Sequence, residues 1–119
     1  EKQVNFNTFQ EACKRTANPD ISWADANLNW ALGIAGEAGE YCELIKKRHF
    51  HGKELDIQEA KKELGDVLYY VSMAASNLGL SLDSIAQSNV TKLLARYPNG
   101  FVRGGGFRTE NNDHEDDGC

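Results

Sequence analysis

Between Pro19 and Pro98 apolar residues recur at three- and four-residue intervals with little period-two alternation, a pattern that predicts helices and no sheet. A short first helix is expected over about Thr8 to Thr16, turning Phe6, Phe9 and Cys13 toward a core and ending before Asn18-Pro19. Ser22 followed by Asp25 has the form of a helix start, with the serine as N-cap and the acid in the first turn. A second helix is therefore expected from about Trp23 to Arg48. Asp56-Ile-Gln-Glu59 has the spacing of a capping box and opens a third helix that runs to about Leu78, with Gly79 as its stop. Ser81 caps a fourth through about Arg96, which Tyr97-Pro98-Asn99-Gly100 ends. The expected architecture is all-α, of the four-helix-bundle type, over residues 1–97. A mostly irregular tail, Gly-rich and then acidic, follows over 98–119.

Gly33, Gly36 and Gly39 fall inside the second helix, each at a cost of roughly 1 kcal/mol relative to alanine. Their register predicts close helix approach or a ligand against the backbone; the alternative is a break in the helix there. On a helical wheel Ala31, Ile34, Ala38, Tyr41, Cys42 and Ile45 form one apolar stripe, with Glu37 at its edge and Glu40 further round. The third helix repeats this arrangement: Ala60, Leu64, Val67, Leu68, Val71, Ala75 and Leu78 form the stripe, Glu63 stands at the edge and Asp66 lies beyond it. Packed antiparallel through their stripes, the two helices would set Glu37-x-x-Glu40 opposite Glu63-x-x-Asp66 on one side of the seam. Cys42 and Cys13 are assigned to the core.

A length of 119 residues with 40% hydrophobic and 26% charged residues fits one ordinary globular domain whose small core gains from oligomerisation. The net charge of −5 is unevenly placed. Glu110, Asp113, Glu115, Asp116 and Asp117 account for the whole imbalance, so residues 1–109 are neutral and no basic nucleic-acid-binding surface is indicated. Cys13, Cys42 and Cys119 are odd in number, far apart and without zinc spacing, which reads as reduced thiols in a cytoplasmic protein. There is no apolar run of membrane-spanning length, and the first residues lack the form of a signal peptide. The expectation is a soluble intracellular protein.

Within the neutral body, Glu37, Glu40, Glu63 and Asp66 stand out because none has a Lys or Arg three or four residues downstream; Lys62 precedes Asp66 in the weaker orientation. Four acids sharing a small volume call for one or more divalent cations, and an all-oxygen site suits Mg²⁺, with Mn²⁺ as substitute. A di-iron bundle would need Glu-x-x-His motifs, which are missing, and His49, His51 and His114 are expected outside the helices. Mg²⁺ on several carboxylates is typically completed by water and substrate phosphates, pointing to hydrolysis or transfer at a polyphosphate. Asn89, Lys92 and Arg96 share one face of the fourth helix and are candidate phosphate contacts.

Gly36-Glu37-Ala-Gly39-Glu40-Tyr-Cys-Glu43-Leu-Ile-Lys46, then Glu63-Leu-Gly65-Asp66-Val-Leu-Tyr-Tyr70, then Asn89-Val-Thr-Lys92-Leu-Leu-Ala-Arg96-Tyr97-Pro98, resembles the MazG-like nucleotide pyrophosphohydrolases over about residues 6–101. The single unit is most similar to the small stand-alone members. The resemblance implies an all-α homodimer or homotetramer (a dimer of dimers). It also implies Mg²⁺-dependent cleavage of (deoxy)nucleoside triphosphates to the monophosphate and pyrophosphate, in the service of nucleotide-pool house-cleaning. By matching position, Glu37, Glu40, Glu63 and Asp66 would be metal ligands, one glutamate also orienting the attacking water. Asn89 and Lys92 would bind metal-linked phosphate, with Arg96 and Tyr97 doing so from the same or a neighbouring subunit. Gln10, Asn29 and Trp30 are candidates for the base pocket. Many members carry an extra acid directly beside the first pair; Tyr41 stands there in this chain, leaving the metal count and general base open. Two alternatives keep the helical fold: a phosphoribosyl-ATP pyrophosphohydrolase, and a non-catalytic oligomerisation or regulatory module.

Overall fold

The first three helices begin where local hydrogen-bonding chemistry dictates. The computed structural model describes residues 3–103 and contains four helices: α1 (Phe6–Lys14), α2 (Trp23–His51), α3 (Ile57–Asn77) and α4 (Leu82–Arg96). An isolated bridge between Pro98 and Gly100 is the only extended pairing among the described residues. The expected tail is described only as far as residue 103, and its acidic end lies outside the described residues.

The first helix starts two residues earlier than the sequence pattern predicts. The Asn5 side chain accepts from the Thr8 amide at 3.0 Å, while the Asn5 amide donates to Thr8 Oγ1 at 2.9 Å. Asn5 is thus the cap and Thr8 the third helical residue of a reciprocal capping box. Ser22 caps α2 by accepting from the Asp25 amide, and Asp56 caps α3 by accepting from the amides of Gln58 and Glu59, as their spacing predicts. The second helix is continuous through Gly33, Gly36 and Gly39 and runs three residues beyond Arg48, to a left-handed cap at Gly52 (φ 64°). His49 and His51 therefore lie in its last turn, contrary to the expectation from sequence, where they favour the negative end of the helix dipole.

The third helix closes in a Schellman turn: Leu80 N–H donates to the Ala75 carbonyl at 2.8 Å and Gly79 N–H to Ser76 at 3.1 Å. Gln10, buried on α1, secures that turn. Its amide nitrogen donates to Ser76 Oγ and to the Leu80 carbonyl, both at 2.9 Å, and its oxygen accepts from the Leu82 amide at 2.8 Å. One side chain so joins α1 to the end of α3 and the start of α4.

The chain divides into two units, Glu1–Asp83 and Ser84–Cys119. In the first, α2 packs along α3 and α1 packs on α3. Trp23 faces Asn77, Gly33 faces Tyr70 and Glu37 faces Glu63. Steps toward the C-terminus of α2 thus match steps toward the N-terminus of α3, an antiparallel pair. In the second unit Val90, Leu93, Leu94, Tyr97 and Phe101 line an apolar groove.

The buried apolar positions among the described residues are Cys13, Ala26, Ala60, Met73, Ala75 and Leu82, mostly small. Large apolar side chains stay in solvent instead: Leu28 is 59% exposed, Leu32 63% and Leu64 51%. Cys42, assigned to the core from its stripe, is exposed, as are Ala31 and Ile45 beside it. The reason is that the covered face of α2 is rotated from that stripe: it keeps Ile34, Ala38 and Tyr41 and adds Ala26, Trp30, Gly33, Glu37 and Leu44.

Candidate metal centre

That choice of face moves the carboxylates. Glu37 lies within the α2 surface facing α3, and Glu63 lies within the opposing surface with Ala60, Val67 and Tyr70. Glu37, Glu63 and Asp66 are each half-buried, and one oxygen from each falls within 4.8 Å of the others. Glu40 is exposed on the next turn of α2, outside this trio, yet its charge is felt at Glu63.

Partial desolvation is the largest cause that raises the Glu63 carboxyl above the ordinary glutamate range. A side-chain hydrogen bond with Glu37 and the charges of Glu37, Asp66 and Glu40 push it the same way. The raised carboxyl binds a proton more readily than an exposed glutamate does, and a proton there relieves the repulsion. A divalent cation would relieve more of it. The donor set fits one: three carboxylate oxygens from two helices need to close only from 4.8 Å to the roughly 3 Å that separates adjacent ligands around an ion bound at about 2.1 Å.

An aromatic cluster stands one turn away. Trp30 packs on Tyr69 and Tyr70 with ring centroids at 6.3 and 6.0 Å, and the two tyrosines meet edge to face at 5.1 Å. Tyr69 hydrogen-bonds Thr16, whose hydroxyl also donates to the Cys13 carbonyl at 2.8 Å. Of the base-pocket candidates, Trp30 belongs to this cluster and Asn29 is exposed on α2. Gln10 has its amide committed to Ser76, Leu80 and Leu82. Asn89, Lys92 and Arg96 lie along α4 in the second unit with Tyr97 just after; Asn89 is exposed and the other three are half-buried.

Helical wheels do not reveal the contact of Tyr70 with Gly33. A methyl group at Gly33 would overlap the Tyr70 ring, whereas Gly36, Gly39 and Gly65 have nothing within 4 Å. The glycine register was the available signal, pointing to close approach without saying which glycine or which neighbour.

Comparison with known proteins agrees with this architecture. The model of the MazG nucleotide pyrophosphohydrolase domain matches residues 26–101, a span that includes all four acids and the Asn89–Tyr97 segment. The Gene 37 protein of Mycobacterium phage L5 is 35% identical over 79 residues, covering 63% of this chain and 69% of that protein. No solved structure matches. The chain belongs to the MazG nucleotide pyrophosphohydrolase family. No helix of the described residues is long and apolar enough to cross a membrane.

Proposed function

We propose that this chain hydrolyses (deoxy)nucleoside triphosphates to the monophosphate and pyrophosphate with Mg²⁺, Mn²⁺ serving as substitute, in the clearance of unwanted nucleotides. Family membership carries nucleotide pyrophosphohydrolase activity in general. The observation that supports the metal is the convergence of Glu37, Glu63 and Asp66 from two helices. When bound, the cation would screen charge on the phosphoryl oxygens and favour ionisation of a coordinated water.

The chain's own residues then have distinct tasks. Glu37, Glu63 and Asp66 hold the ion, and Glu40, exposed one turn on, is available to complete its shell or orient the attacking water. Water adds its oxygen to phosphorus at the α–β anhydride, the bond to the bridging oxygen breaks, pyrophosphate leaves, and a carboxylate takes the proton. Asn89, Lys92, Arg96 and Tyr97 would bind the phosphates, and Trp30 offers an aromatic face to the base. Gln10 has no free amide for that purpose. We assign the oligomer to a homodimer or a dimer of dimers, supported by the apolar side chains left in solvent on α2 and α3.

The assay is purified protein with a panel of dNTPs and NTPs plus Mg²⁺, comparing wild type with Glu37→Gln and Asp66→Asn. The expected product is pyrophosphate without orthophosphate, with both variants folded and their kcat lowered by at least about a hundredfold. Full activity in both would remove these residues from the site. Cleavage of phosphoribosyl-ATP but of no dNTP would change the substrate.

A further inference from the structure

Three carboxylates within 4.8 Å of one another repel, and without a cation that repulsion acts to part α2 from α3. Something nearby must hold the helices together. Gly33 precedes Glu37 by one helical turn, and Tyr70 follows Asp66 by one turn on the antiparallel partner, so the Gly33–Tyr70 contact lies directly beside the acidic trio. The ring lies where a Cβ at position 33 would be, overlapping it from Cγ outward, so a methyl could not be admitted by moving only the ring's tip. Nor can the ring swing aside freely. Trp30 packs against it at 6.0 Å, Tyr69 at 5.1 Å, and Tyr69 is tied to Thr16 beyond α1.

We propose that Gly33 and Tyr70 form a positioning contact for the metal centre, in which the missing Cβ lets the ring rest on the α2 backbone and so sets the helix spacing at which Glu37 reaches Glu63 and Asp66. The proposal rests on the metal-site reading above and adds a residue pair that touches neither ion nor substrate. It accounts for a glycine in a helix interior, where propensity alone disfavours it. It also separates Gly33 from Gly36, Gly39 and Gly65, which have open space beside them.

The test uses the full chain with Mn²⁺ alone as probe, its affinity measured by calorimetry at fixed pH on Gly33→Ala, Tyr70→Ala and the double variant, with helicity checked by circular dichroism. Gly33→Ala is expected to weaken Mn²⁺ binding by at least about tenfold, and the double variant, where the methyl has room, to recover to within roughly threefold of wild type. A contact with only a structural role would lower thermal stability while leaving the folded protein's Mn²⁺ affinity unchanged, and that result overturns the proposal. Should Gly33→Ala fail to fold, Tyr70→Ala decides: unaltered affinity again overturns it. Crystal structures of metal-free wild type and the variant give a readout independent of the ion. A Glu37–Glu63 separation wider in Gly33→Ala is expected, and an unchanged one refutes positioning. If wild type binds no Mn²⁺, the metal reading fails by itself and the separation alone decides.

Discussion

Desolvation at the α2–α3 contact, reinforced by the neighbouring carboxyl groups of Glu37, Asp66 and Glu40, raises the Glu63 carboxyl above the ordinary glutamate range. The raised Glu63 carboxyl has a definite sign in stability. Its folded form holds a proton more tightly than the unfolded chain does, so its contribution is present at and below the ordinary glutamate range and is lost as pH rises through the higher folded value. Metal-free wild type is therefore expected to lose stability relative to Glu63→Gln as pH rises across that window, with the difference read from thermal melts. A difference of opposite sign would mean the carboxylates are compensated by something other than a proton. Saturating Mg²⁺ should reverse the dependence, since a cation bound only by the folded, ionised site stabilises it by mass action. Gln10 illustrates what sequence leaves open at this scale. An amide on a short helix suits a base contact or a structural tie equally well, and only burial against Ser76, Leu80 and Leu82 separates the two.

At the scale of elements, helix ends were largely legible because capping is local chemistry. Ser22, Asp56 and the Gly79 turn act as their spacing predicts, while α1 was misplaced because threonine replaces the glutamate or glutamine of the usual box. The glycines of α2 divide by environment. Gly52 sits at φ 64°, so Gly52→Ala places a Cβ in the left-handed region and should cost about 1 kcal/mol. Gly36 is helical with nothing within 4 Å, so Gly36→Ala should stabilise by up to about 1 kcal/mol. In thermal melts the two alanines are expected to move Tm in opposite directions by a few degrees each. A Gly36→Ala variant that melts lower would place something against that face of α2 that one chain does not supply.

On the scale of the whole molecule, the core of one chain is small beside the apolar surface it leaves in water. Leu28 and Leu32 on α2 and Leu64 and Leu68 on α3 are all exposed. Such surface is usually covered by another protein surface. If that surface is a second copy, Leu32→Glu should shift the wild-type oligomer toward monomer at micromolar concentration in light scattering, and lower its Tm. A monomeric wild type would remove the oligomer from the proposal.

By itself the sequence determined four helices, most of their caps, and the pairing of two acids one turn apart on each of two consecutive helices. These are short-range properties, set by hydrogen bonding within a turn and by 3.6-residue periodicity. Tertiary structure alone decided which face of each helix meets the other. An apolar stripe states that a surface will be covered without stating by what: Ile34, Ala38 and Tyr41 on α2 and Ala60, Val67, Val71 and Ala75 on α3 are covered, while Ala31, Cys42, Ile45, Leu64, Leu68 and Leu78 from the same stripes stay in solvent. The covered face carries Glu37 and Glu63 at its centre and leaves Glu40 outside the trio. Gly33 admits the Tyr70 ring on that same face, and steric fit between two chain segments far apart in sequence is not a quantity that periodicity records.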